Sequence, residues 1–112
     1  VVRNPEAGTE TFRAVQVDEF AEAALSGAQV LDVRAPSEWD TDVIEGSILS
    51  YLPDLAEKTP DGLSRDEPVW VACAGGYRAS IAAGILASRG FEPVVLIDGG
   101  ATDVMCRTSN ES

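Results

Sequence analysis

Histidine is absent from this sequence of 112 residues, and its absence excludes several familiar catalytic and metal sites. Without an imidazole the chain cannot build a Ser-His-Asp triad, a Cys-His dyad or a zinc site with a histidine ligand. Its two cysteines, Cys73 and Cys106, are too few for a four-cysteine metal site or for a disulfide-stapled secreted domain. Any chemistry must therefore come from a thiol, carboxylates, arginines or backbone amides, and we expect neither a metal nor an organic cofactor.

Positive charge is scarce as well. Eight lysines and arginines stand against 19 acidic residues, which gives a net charge of −11. Nucleic acid and anionic membranes are bound by clustered basic residues, so we expect neither as a partner. No apolar run approaches the roughly 20 residues that span a bilayer, and no signal-peptide pattern opens the chain. These features predict a cytoplasmic protein.

The length predicts one domain with a core of its own. Residues 1–11 are polar, turn-prone and without periodicity, which indicates a linker or a domain boundary. We expect the folded domain over residues 12–107 and a polar tail over 108–112. On this interpretation the sequence is one domain of a longer protein.

Apolar patterns of strand and helix type alternate along the domain. Because the strand-like runs are continuously apolar, they predict a parallel α/β sheet that helices cover on both faces. Ligands of such sheets bind beyond the carboxyl ends of the strands. The predicted strands are 29–33, 69–73 and 94–97, and the predicted helices are 17–25, 36–39, 51–58, 79–89 and 101–107.

The segment 73–80 combines a thiol with the backbone features of an anion site. Cys73 ends a buried strand, Gly75 and Gly76 follow, and Arg78 stands just before a helix. Glycines let successive amides turn inward as an anion-binding nest, and a helix N-terminus adds to the same field. We therefore predict that Cys73 is a nucleophilic thiolate. We also predict that the Arg78 guanidinium, which is charged and carries several N–H donors in one plane, binds an anionic substrate. The alternative is an inert cysteine in a buried strand.

Several short blocks of the sequence, taken in chain order, share a pattern with one known family. They are Leu31 to Arg34 with Pro36 to Trp39, Ile44 to Ser47, Val71 to Ser80, and Gly90-Phe91 with Ile97 to Gly100. Together they resemble the rhodanese-homology domain from about Val15 to Gly100. The resemblance implies a five-stranded parallel sheet flanked by helices and sulfur transfer through a persulfide of Cys73. Val43 departs from the family pattern by replacing a usual histidine, and Ala74 by replacing a residue that is often arginine.

The predicted site divides into two catalytic residues, Cys73 and Arg78, and a set of substrate-binding residues. For Asp32 and Arg34 the alternative is a salt bridge that holds a loop. Cys106 either resolves a persulfide as a disulfide or is a small apolar residue of the last helix. The predicted substrate-binding residues are Ala74, Gly75, Gly76, Tyr77, Ala79, Asp32 and Arg34.

The resemblance implies transfer of sulfur from thiosulfate or a low-molecular-weight persulfide to a thiol or to cyanide. Four residues separate Cys73 from Arg78, a loop size that suits a persulfide sulfur. The related phosphatases and arsenate reductases have five, which makes them the weaker alternative. The segment is also similar to rhodanese domains fused behind metallo-β-lactamase-fold hydrolases. An accessory module with a fused or partner metallo-hydrolase domain is therefore a further alternative.

Overall fold

A five-stranded parallel sheet forms the centre of the protein in the computed structural model, which describes residues 13–40, 42–75 and 77–111. The strands are β1 (Arg13–Gln16), β2 (Gln29–Asp32), β3 (Ile48–Leu49), β4 (Val69–Ala72) and β5 (Pro93–Asp98). They lie in the order β1-β5-β4-β2-β3, and neighbouring strands are parallel. The helices are α1 (Val17–Leu25), α2 (Pro36–Trp39), α3 (Leu52–Glu57), α4 (Tyr77–Ser88) and α5 (Ala101–Glu111). None of these helices is long and apolar enough to cross a membrane.

The central strand β4 faces helices on both sides, which explains its unbroken apolar sequence. Val69 and Val71 belong to a buried cluster that includes Leu55 of α3 and Leu86 of α4. Trp70 points to the opposite face and packs with residues of α1 and α5. Since alternate side chains of a strand point to opposite faces, every residue of β4 is buried. The predicted α/β fold with helices on both faces of a parallel sheet is confirmed.

The differences from the predicted elements lie at the margins of the sheet. The short strands β1 and β3 form its two edges and were not recognisable as apolar runs, because β1 begins and ends with polar residues and β3 has only two residues. Helix α5 continues past the predicted end at Arg107 to Glu111, so the predicted polar tail is helical up to that residue. The Thr108 hydroxyl donates to the Met105 carbonyl at 3.1 Å within this extension. The predicted linker over residues 1–11 lies outside the described residues.

The turn between β5 and α5 lies directly against the end of β4. The Ala101 N–H donates to the Cys73 carbonyl at 2.8 Å, and the Gly100 N–H donates to Asp103 Oδ2 at 2.9 Å. A Cβ atom on Gly100 would stand 1.9 Å from the Ala74 carbonyl oxygen and 2.9 Å from that of Cys73. The two backbones approach so closely that the position requires glycine. The turn therefore fixes where the segment after β4 begins.

We predict that Gly100→Ala destabilises the domain, because an added methyl group would collide with backbone that cannot rotate away. Overpacking of this kind costs about 1–3 kcal/mol or more. The free energy of unfolding, measured in urea by tryptophan fluorescence, checks this expectation.

Gly84→Ala is the matched control for this prediction. Gly84 lies inside α4, and an added Cβ would meet no atom within 4 Å. Alanine in place of glycine inside a helix is worth about 0.5–1 kcal/mol, so this variant should be as stable as the parent or more so. Equal stability of the two variants would contradict the close approach at Gly100.

Candidate active site

The sulfur of Cys73 lies between the end of β4 and the start of α4. Cys73 follows directly after β4, and its exposed fraction is 1%. The backbone N–H of Ala79 points at the sulfur, with 3.3 Å between N and Sγ. Ala79 is the third residue of α4, where amides lack an intrahelical acceptor and the helix dipole is positive. The first turn of α4 therefore stabilises negative charge on the Cys73 sulfur.

The predicted binding residues next to Cys73 form an exposed rim around this buried sulfur. Ala74 and Gly75 are exposed, and Tyr77 exposes 79% of its surface at the start of α4. Gly76 lies outside the described residues. The structure thus brings Ala79 into contact with the sulfur, whereas Tyr77 stands in solvent beside the loop.

Arg78 forms a two-pronged ion pair with Glu38 of α2. Its Nη1 lies 2.8 Å from Oε1 and its Nη2 lies 3.2 Å from Oε2, with both side chains half-buried. The hydrogen bonds from Arg78 lower the pKa of Glu38 from 4.5 to about 2, and the Ala35 N–H contributes in the same direction. The same pairing raises the pKa of Arg78, to which the negative charges of Cys73 and Asp32 add. The Arg78 guanidinium is thus bound by a carboxylate of α2 in the structure.

Glu38 is a site residue that the sequence did not reveal. It belongs to the block Pro36 to Trp39 that carries the family resemblance, but it is 40 positions from Arg78. Its carboxylate also accepts the N–H of Ala35 at 2.8 Å, which ties it to the first turn of α2. An acidic residue in a short helix after a strand is the only signal in the sequence, and a helix N-terminus alone explains it.

Asp32 and Arg34 form the buried salt bridge that the alternative interpretation predicted. The Arg34 Nη2 lies 2.9 Å from Asp32 Oδ2, its Nε lies 3.0 Å from Oδ1, and its backbone N–H donates to Oδ1 at 3.0 Å. Arg34 also donates to the Asp42 carbonyl at 2.9 Å, which holds the following loop. Asp32 is completely buried and Arg34 is 5% exposed. A direct role of this pair in substrate binding stays a prediction.

The remaining residues of interest lie away from the sulfur. Cys106 is exposed on α5 and forms no disulfide with Cys73. Trp70 packs in the core with its ring at 83° to that of Phe20. Trp39 lines a cavity of about 360 Å³ beside β3 and α3, and Cys73 is not among the residues that line it. Within the described ranges, no three Cys, Asp or Glu side chains are placed to hold a metal ion.

Comparison with known proteins gives matches over most of the chain. The family model of the Rhodanese-like domain matches residues 16–105. The thiosulfate sulfurtransferase GlpE of Pseudomonas aeruginosa is 28% identical over 92 residues, which cover 82% of this chain and 83% of that protein. The solved structure of a rhodanese-related protein from Thermoplasma volcanium has a TM-score of 0.70 at 30% identity, covering 90% of this chain and 94% of that one.

A second group of similar proteins is much longer than this chain. The tRNA uridine(34) hydroxylase of Chlamydia abortus is 34% identical over 82 residues. That match covers 63% of this chain and 24% of the hydroxylase. The sequence therefore spans about a quarter of the length of these relatives.

We predict that the Arg78–Glu38 pair stabilises the fold in a pH-dependent way. Since the folded pKa of Glu38 is about 2 and its ordinary value is 4.5, the stabilisation is complete above pH 4.5 and is lost as the pH falls towards 2. Glu38→Gln should lower the free energy of unfolding by about 1 kcal/mol at pH 7. That difference should shrink between pH 4.5 and 2 in urea titrations, whereas a difference independent of pH would contradict an ionic origin.

Proposed function

Because this chain belongs to the rhodanese-like domain family, we propose that it is a sulfurtransferase that carries sulfane sulfur as a persulfide on Cys73. The observation that carries this proposal is the Ala79 N–H at 3.3 Å from the Cys73 sulfur. A thiolate is the nucleophilic form of cysteine, and an amide at a helix N-terminus favours it. We place the reaction in the cytoplasm, where thiols are kept reduced.

The proposed reaction has two steps, both at sulfur. In the first, the Cys73 thiolate attacks the outer sulfur of the donor, and the donor's sulfur–sulfur bond breaks. Sulfite leaves with the electron pair when the donor is thiosulfate, and a thiolate leaves when the donor is a small persulfide. In the second, cyanide or an acceptor thiolate attacks the outer sulfur of the Cys73 persulfide and releases the Cys73 thiolate.

The residues around Cys73 support this reaction by stabilising charge. The sulfur is negative before the attack and the persulfide is negative after it, so donors aimed at this position serve both states. Ala79 offers one such donor, and we assign a second to Arg78, whose pKa is raised in part by the charge of Cys73. Both steps proceed without a metal or an organic cofactor.

The relatives support this function at the level of the family. The match to a thiosulfate sulfurtransferase over most of both chains supports sulfur transfer as the reaction. The match to about a quarter of a tRNA hydroxylase favours a second candidate, an accessory module of a larger protein. The metallo-hydrolase partner domain of that second candidate stays a prediction.

We predict that Cys73→Ser abolishes sulfur loading, because a hydroxyl cannot form a persulfide. Intact mass spectrometry after incubation with thiosulfate should show one added sulfur atom on the parent and none on this variant. Cys106→Ser is the matched control, since it removes the exposed cysteine and should still load. Loading that follows Cys106 in place of Cys73 would refute the assignment.

We predict that Arg78→Ala lowers kcat/KM for thiosulfate by about tenfold or more, because it removes a charged donor from the site. Arg78 is half-buried at the surface, so the fold should survive, as circular dichroism would show. Arg78→Lys keeps the charge but loses the two-pronged geometry, and it should recover part of the rate. An unchanged rate for Arg78→Ala would reduce Arg78 to a structural role.

A further inference from the structure

Both arginines of the predicted site are paired with carboxylates. Arg78 is held by Glu38 through contacts of 2.8 and 3.2 Å, and Arg34 is held by Asp32 through buried contacts of 2.9 to 3.1 Å. Ala74, which follows the nucleophile, brings no charge. The two pairs are neutral in sum, so a Cys73 thiolate gives the site a negative charge. The first turn of α4 adds attraction that no carboxylate offsets, because its dipole is equivalent to about half a unit charge.

This balance of charge penalises a donor with two negative charges more than a donor with one. Coulomb repulsion is proportional to the charge of the incoming donor, and the chain as a whole carries −11. Thiosulfate is a compact dianion. A small organic persulfide without other ionised groups carries one negative charge at most, that of its terminal sulfur.

The surface beside the loop also fits an organic donor. Tyr77 and Ile81 lie four positions apart on α4, so their side chains are neighbours on one face of the helix. Tyr77 exposes 79% of its surface and Ile81 exposes 41%. They present apolar surface next to Arg78, which the carbon skeleton of a persulfide can contact and which thiosulfate has no group to use.

We infer that Glu38 sets the donor class of this site: by neutralising Arg78, it favours small organic persulfides with a single negative charge over the dianion thiosulfate. The inference rests on the proposed sulfur transfer through Cys73. The Cys73 thiolate attacks the terminal sulfur of the persulfide, the sulfur–sulfur bond of the donor breaks, and the organic thiolate leaves with the electron pair. Glu38 acts through Arg78 and is a specificity-determining residue, without contact to the reacting sulfur.

The test compares two donors on the same protein. Rates of single-turnover loading of Cys73 are measured by rapid quench and intact mass, with thiosulfate and with 2-hydroxyethyl persulfide, whose only charge is that of the persulfide. The quantity of interest is the ratio of the thiosulfate rate to the persulfide rate. Glu38→Gln should raise this ratio about fivefold, because it removes a unit charge that repels the second charge of thiosulfate.

Arg78→Gln provides the reciprocal variant, since it leaves the charge of Glu38 uncompensated and should lower the same ratio. Glu57→Gln is the matched control, because Glu57 is exposed at the end of α3 and forms no ion pair among the described residues. Arg89, which directly follows α4, donates to the Leu55 and Ala56 carbonyls at 2.7 and 2.8 Å. Glu57 therefore lies near the C-terminal end of α4, whereas Arg78 lies at its N-terminal end. This control should leave the ratio unchanged.

The outcomes separate this inference from the proposed function. Opposite shifts of the ratio in the Glu38 and Arg78 variants, with no shift in the control, support the inference. If Glu38→Gln does not fold, the fall in ratio for Arg78→Gln decides alone. If both donors load Cys73 but neither variant moves the ratio, the inference is overturned while the proposed function stands. If neither donor loads Cys73 in the parent, the proposed function fails, and with it the inference.

Discussion

The contact between the Cys73 sulfur and the first turn of α4 depends on how closely that helix packs on the sheet. The buried face of α4 consists of alanines, with Ala79, Ala82 and Ala83 fully buried against β4 and its neighbours. Methyl side chains let the helix backbone come near the strands, whereas larger residues would hold it away. The position of Leu86 at the end of this face anchors the helix in the same cluster. The small residues of α4 therefore bring an amide within 3.3 Å of the thiol.

The segments beyond the carboxyl ends of the central strands are tied to one another by backbone hydrogen bonds. The Val33 N–H donates to the Ala72 carbonyl at 3.1 Å, and the Ser50 N–H donates to the Asp32 carbonyl at 3.0 Å. The Ala101 N–H donates to the Cys73 carbonyl at 2.8 Å. Because these bonds link β2, β3, β4 and β5, Cys73 is held by the sheet and not by its own loop alone. The sulfur transfer that we propose for Cys73 needs precise placement of this kind.

The parts of the molecule that the sequence predicts are those governed by local pattern. Fully buried strands such as β4 are continuous apolar runs, and Cys73, two positions before Gly75, is visible as the end of such a strand. The edge strand β3 has two residues, and its existence depends on its pairing with β2. The pair of Glu38 with Arg78 joins two short segments that the chain brings together only after the sheet has formed. No periodic pattern in the sequence indicates such a long-range contact. The pairing of charges at the site is therefore visible only in the structure.

The arrangement around Cys73 also bears on the choice between catalysis and a role as an accessory module. A surface that only docks on a partner needs exposed side chains. It has no use for the Cys73 sulfur, because that residue is only 1% exposed. Here the buried thiol of Cys73 accepts a hydrogen bond from the Ala79 N–H of α4. The backbone carbonyl of Cys73 is held by a turn that leaves no room for a side chain at Gly100. Arg78 is kept at the rim by a carboxylate whose pKa of about 2 leaves it charged at any physiological pH. A docking surface would not need these constraints, whereas a site that exchanges sulfur would. The geometry therefore favours catalysis, whether the domain acts alone or within a longer protein.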